Sequence, residues 1–158
     1  MHYIEELFSN KMFVSAGLGW AIAQVIKTII DFTLNKKINF ERLVGSGGMP
    51  SCHSATVCAL ATSAAMEYGL DSPEFAIAVI LAIIVMYDAR GVRRETGTQA
   101  VFLNQLMDFF RQPDNFEKFK FEFDQKKLKE LVGHTPLQVM FGAIIGIVVA
   151  IIMCNLLT

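Results

Sequence analysis

The chain predicts an all-α fold, an integral membrane helical bundle with about four spanning helices plus one amphipathic interfacial helix. Three observations carry that expectation. Of 158 residues, 53% are hydrophobic and only 18% charged, with mean hydropathy +0.43, too apolar for an ordinary soluble domain of this size. Apolar runs close to the length that crosses a bilayer recur along the chain. Glycine- and proline-containing turns separate them, with no internal repeat and no low-complexity tract. One domain over residues 1–158 follows from the length.

The first run, residues 12–31, is interrupted by Gln24 and Lys27, three apart and so on one face. A polar stripe inside a spanning helix turns toward protein or a cavity rather than lipid. A polar loop over 32–49 ends in Gly47-Gly48 and leads to a helix over about 50–69, rich in small residues (Ala55, Ala59, Ala61, Ala64) that suit close packing. Gly69 to Pro73 is a turn, and 74–90 is again strongly apolar. Over 92–111, Ala100, Leu103, Leu106, Met107 and Phe110 recur at helical spacing among charged residues, the pattern of an interfacial helix. Phe119, Phe121 and Phe123 alternate, as in a short strand or an extended loop. The last run, Pro136 to Leu157, carries Gly142 and Gly146 four apart, favourable for helix contact.

Parity brings the chemistry together. If the first helix leads to side S, the next returns, the third brings Asp88, Arg90, Arg93 and Arg94 back to S, and His134 precedes the last crossing from S. All but Lys11 and Lys27 of the 14 Lys and Arg residues then lie on S, so S is expected to be cytoplasmic. The net charge of −1 implies no nucleic-acid partner. Cys52, Cys58 and Cys154 lack metal-ligand spacing and read as free thiols. No cleavable signal peptide is expected, because Glu5, Glu6 and Lys11 precede the first run.

The segment Gly47-Gly48-Met49-Pro50-Ser51-Cys52-His53-Ser54 is the most informative. Its glycines leave amides uncovered, and Pro50 suits the first position of a helix. Ser51 and His53 would then lie in the first turn, where free amides and the helix dipole favour an anion. The plainer reading is a glycine turn before a buried helix with an incidental histidine. Gly133-His134-Thr135-Pro136 repeats the association of an imidazole with a helix start. Since His2 lies at the terminus, His53 and His134 form the best imidazole pair for proton transfer or nucleophilic attack.

Together with Tyr87-Asp88-Ala89-Arg90-Gly91-Val92-Arg93, these segments resemble the type-2 phosphatidic acid phosphatase superfamily, which includes the vanadium haloperoxidases, and within it a small divergent branch of bacterial and plant proteins. Resemblance to that branch covers most of residues 12–157. It implies a membrane lipid phosphatase that cleaves a lipid phosphate or diphosphate without metal or other cofactor. His134 would attack phosphorus and become a phosphohistidine, His53 would protonate the leaving oxygen, and Ser51, Gly47 and Gly48 would hold phosphate oxygens.

Several positions depart from the superfamily pattern. Gln138 stands where an aspartate would orient the nucleophilic histidine; an amide can hold a tautomer but cannot stabilise an imidazolium as a carboxylate does. Asp88, brought to the same face by parity, is the candidate substitute. Cys52 replaces the glycine of Pro-Ser-Gly-His, and Lys127-Leu128 replaces the usual Ser-Arg. Arg42 and Lys27, with Arg93 aided by Arg90 or Arg94, are the candidate phosphate-binding cations. The expected partners are the bilayer, a membrane lipid phosphate and, because four spanning helices are few to close a pocket, a second copy in a homodimer. The competing class is a non-catalytic lipid-phosphate binder or a subunit of an envelope or transport complex.

Overall fold

A computed structural model describes residues 2–36, 48–110 and 133–156, with the side chains of 92–94 and 109–110 left aside. Arg42, Gly47 and the alternating 119–123 segment lie outside the described residues, as does the Arg93 side chain. Among the described residues six helices follow in order: α1 (His2–Ser9), α2 (Lys11–Asn35), α3 (Cys52–Tyr68), α4 (Pro73–Arg90), α5 (Val92–Phe110) and α6 (Pro136–Leu156). No strand occurs among the described residues. The expected helices are present with ends shifted by a few residues. The first runs four residues beyond the expected end at residue 31 and stops where Lys36 adopts a left-handed conformation. α1 is an addition: eight residues with Tyr3, Ile4 and Phe8 exposed, too short to give a periodic signal.

Among the described residues, three helical stretches can by length and composition cross a membrane: Lys11–Asn35, the run Pro73–Asp108 and Pro136–Leu156. The fourth expected span, α3, has 17 residues, about 26 Å of helix against a hydrocarbon core of roughly 30 Å. It is the central element, packed by α2, α4 and α6. Its composition explains this position. Ala55, Ala59 and Ala64 are fully buried, so neighbouring backbones approach closely. Gly146 of α6 lies against the Ala55 carbonyl and Ala59 amide, while Gly142 lies against the Ser51 carbonyl. A Cβ on Gly19 of α2 would stand 3.0 Å from the Ala55 carbonyl.

Size, rather than polarity, sorts residues between inside and outside. α4 buries Ala78, Ala82 and Ala89 yet exposes Ile77, Ile80, Ile83 and Ile84; α6 buries Gly142, Gly146 and Ala150 yet exposes Ile144, Ile151 and Ile152. A water-soluble protein would hide those isoleucines, whereas lipid rewards tight internal packing instead. The arrangement is that of an all-α membrane bundle.

Contacts fix the helix directions. Ser51 and Ser54 meet Gly142, Ala55 meets Gly146 and Ser63 meets Cys154, so α3 and α6 run parallel. Gly19 opposes Ala55 and Gln24 opposes Cys52, so α2 is antiparallel to α3. Cys58 lies beside Met86, and Ala61 and Ala64 cluster with Ala78, so α4 is antiparallel as well. The starts of α3 and α6 and the ends of α2 and α4 therefore share one end of the bundle, as the parity of the runs predicts. α5 continues from α4 beyond Gly91 and, among the described elements, packs on α4 alone. All three cysteines are buried free thiols.

Candidate functional site at the shared helix ends

Helix α3 begins two residues later than expected. Pro50 follows a cis Met49–Pro50 bond and precedes the helix, and Ser51 is the N-cap rather than a first-turn residue. The Ser51 hydroxyl oxygen accepts from the Ser54 amide at 3.3 Å, which satisfies one of the otherwise open donors of the first turn. Ser51 thus orients the segment. Gly48 has φ +86°, a conformation only glycine adopts without strain, and a Cβ there would press on the Lys27 side chain at 3.2 Å.

Gly133, with φ +97°, turns the chain into His134. Main-chain bonds then fasten this segment to two other helix ends: the His134 amide donates to the Ala89 carbonyl of α4 at 2.9 Å, and the Ser51 amide donates to the Gln138 carbonyl of α6 at 2.9 Å. The His53 and His134 rings consequently stand edge to face, with centroids 5.7 Å apart. The two histidines, 81 positions apart in sequence, face one another.

His134 is 2% exposed. Gln138 Oε1 accepts from the Thr135 amide at 3.0 Å and lies 3.2 Å from His134 Nδ1. Because that atom accepts a backbone N–H, it is the carbonyl oxygen, and its imidazole neighbour must be the donor. Nδ1 therefore carries the proton in the neutral ring, leaving the Nε2 lone pair for chemistry. Burial holds the His134 pKa below the ordinary histidine value, helped by the His53 ring and the Lys27 charge and opposed by Gln138 and the Gly48 backbone. Gln138 is thus the residue that orients His134. Asp88 is half-buried in the last turn of α4, next to the Ala89 whose carbonyl holds the His134 backbone.

Lys27 is 5% exposed and close enough to Cys52 and His134 to influence both. One turn away on α2, Gln24 Oε1 accepts from the Cys52 thiol at 2.9 Å, which gives the residue in the glycine position a structural partner. Asp31, also buried, accepts from Asn35 Nδ2 at 2.8 Å and was not anticipated as part of this polar end. The signal was available: Ser15, Gly19, Ala23, Lys27 and Asp31 repeat every four residues and are the buried positions of α2. Arg90 is exposed at the end of α4. Among the described residues, no group of three or more His, Cys, Asp or Glu side chains could hold a metal ion.

A profile described as "Divergent PAP2 family" matches residues 8–149, which include both histidine segments and all the described site. The chain belongs to the divergent PAP2 family. It is also 44% identical over 152 residues to the "Uncharacterized membrane protein YuiD" of Bacillus subtilis (strain 168), an alignment covering 94% of this chain and 96% of that protein. No solved structure matches. As a divergent PAP2 protein, the chain brings together His53, His134, Lys27, Gly48 and Ser51, while Asp88 lies in the last turn of α4.

Proposed function

We propose that this protein is a membrane lipid phosphatase of the cell membrane, which hydrolyses a lipid phosphate or diphosphate through a phosphohistidine at the cytoplasmic face. The observation that carries the reading is the edge-to-face pair of buried-end imidazoles 5.7 Å apart, one with its Nδ1 held by Gln138. His134 Nε2 attacks phosphorus, the bond from phosphorus to the lipid oxygen breaks, and His53 gives that oxygen its proton. Neutral His53 then takes a proton from water as the water oxygen attacks phosphorus, releasing phosphate and restoring His134. Lys27, the Ser51 hydroxyl and the glycine turn supply positive charge and donors to the equatorial oxygens. In-line displacement places the attacking nitrogen and leaving oxygen on opposite sides of phosphorus. A bound phosphoryl group therefore parts the two rings from their present spacing. The orientation follows the excess of Lys and Arg that the order of runs in the sequence assigns to that side.

The decisive assay uses purified protein and a panel of lipid phosphates. Phosphate release without added metal, blocked by vanadate, lost in His134→Ala and nearly lost in His53→Ala, is the expected result. Turnover that survives both substitutions overturns the proposal. For orientation, a cysteine introduced within residues 112–126 should resist an impermeant thiol reagent applied outside intact cells.

One observation favours a second reading. The His134 partner is an amide rather than a carboxylate, and a pocket can hold a headgroup after its chemistry has gone. In that case the protein is a lipid-phosphate binder or a subunit of an envelope or transport complex. Binding of lipid phosphate without turnover, weakened by Arg42→Ala or Lys27→Ala, distinguishes it from the enzyme.

A further inference from the structure

Helix α1 sorts its residues by face. Tyr3, Ile4, Leu7 and Phe8 form one side and His2, Glu5, Glu6 and Ser9 the other, a division that follows the helical repeat over the whole helix. Tyr3 is 85%, Ile4 63% and Phe8 66% exposed, and among the described elements α1 packs on α2 alone. The polar side is satisfied locally: His2 Nδ1 lies 3.4 Å from a Glu6 carboxylate oxygen, and the Ser9 hydroxyl donates to the Glu5 carbonyl at 2.8 Å. The junction with α2 fixes where the apolar side lies. Asn10, the single residue between the two helices, donates its amide to the Leu7 carbonyl at 3.3 Å and accepts from the Phe13 amide on its side-chain oxygen at 3.0 Å. The Phe8 and Phe13 rings then meet edge to face, with centroids 6.5 Å apart. Phe13 and, seven residues on, Trp20 are exposed on the spanning helix α2, so the apolar side of α1 continues a surface that faces lipid. The partly exposed Lys11–Glu67 ion pair at 3.1 Å marks the water boundary at this end of the bundle. α1 precedes Lys11 directly and therefore stands at headgroup depth.

We infer that α1 is a membrane-surface anchor, lying in the headgroup region of the leaflet opposite the histidine pair with Tyr3, Ile4, Leu7 and Phe8 turned to the acyl chains and Glu5 and Glu6 to water. The partner of the apolar side is thus a lipid surface. Its continuity with Phe13 and Trp20 argues for lipid. Its size argues against a second copy of the protein, because four side chains fall far short of the roughly 20–30 residues a side of a stable protein interface. The polar side carries no Lys or Arg, so the anchor works through apolar burial and needs no anionic lipid. The inference is independent of the phosphatase reading.

Tryptophan fluorescence measures the depth. The chain has one tryptophan, Trp20, about 14 Å along α2 from Lys11 and so near the middle of a hydrocarbon core of roughly 30 Å. In phosphatidylcholine vesicles containing brominated lipids, wild-type emission should be quenched most by bromine near the chain ends, which calibrates the deep position. Two further proteins carry Trp20→Phe together with either Ile4→Trp on the apolar side or Glu5→Trp on the polar side. The Ile4→Trp protein should be quenched about twofold or more by bromine near the top of the chains and less by bromine near their ends. The Glu5→Trp protein should keep water-like emission and resist both lipids. Water-like, unquenched emission from the Ile4→Trp protein overturns the anchor. Apolar emission that neither lipid quenches also overturns it, in favour of a second copy covering the face. Equal quenching of the two variants overturns it as well, since α1 would then be immersed on all sides.

Discussion

The two ends of the bundle bury different chemistry. At one end His134, Lys27, Asp31 and Ser51 lie within a few per cent of complete burial. At the other, Ala61, Ala64 and Ala78 pack with Met12, Phe75 and Val79, and the charges stay outside in a Lys11–Glu67 ion pair at 3.1 Å. The same helices make both ends, so topology does not require the polar one. Burying an ionisable group costs several kcal/mol unless partners compensate, and a cost met at one end only supports the site proposed there. The apolar end is the internal control.

The largest way to break this contrast is to part the helices that carry it. Gly146→Leu forces a side chain into the Ala55 carbonyl and Ala59 amide. Backbone cannot give way as a side chain can, so a loss of about 3 kcal/mol or more is expected, read as a collapse of thermal stability in detergent. Lys27→Met comes next and separates function from stability. It should reduce phosphate release by roughly 10²–10³-fold, a larger loss than any accompanying fall in melting temperature accounts for. A matching fall in melting temperature would reassign Lys27 to the fold.

The pH profile sharpens the comparison further. With its pKa held below the usual histidine value, His134 remains neutral to lower pH than a free imidazole, so the acid limb of the activity should lie below pH 6.5. In the unfolded chain the same ring binds its proton more readily, so its contribution to stability is complete above pH 6.5 and is lost as pH falls toward the folded value. Gln138→Glu places a carboxylate near Nδ1 and should move the acid limb upward; a profile that does not move would exclude Gln138 as the orienting partner. The smallest effect belongs to the apolar end. Glu67→Gln removes a partly exposed ion pair and should cost under about 1 kcal/mol with no change in turnover.

The sequence made the bundle and the imidazole pair legible because both depend on strong local signals. Apolar runs of spanning length, the glycine pairs and the two proline-flanked histidines survive without any tertiary knowledge, and parity alone brings the histidines to one end. Finer assignments needed the packed structure. Ser51 reads in sequence as a first-turn residue, and only the Ser54 amide donating to its hydroxyl oxygen makes it the cap. Asp31 sits near the end of the first run and gains meaning only from a four-residue repeat that includes alanine and glycine. α3 has the small residues of an interior helix, and only packing shows that it is wrapped on three sides. α1 is too short for periodicity to register. Arg42, Gly47 and the Arg93 side chain lie outside the described residues.

The bonds from His134 to Ala89 and from Ser51 to Gln138 join main-chain atoms only. Every non-proline residue carries an identical amide and carbonyl, so mutation can rewrite the chemical lettering around these clasps without unfastening them. A scaffold latched in this manner tolerates exchanges such as carboxylate to amide, or glycine to thiol, and its descendants can drift far in wording while their opposed rings stay in register.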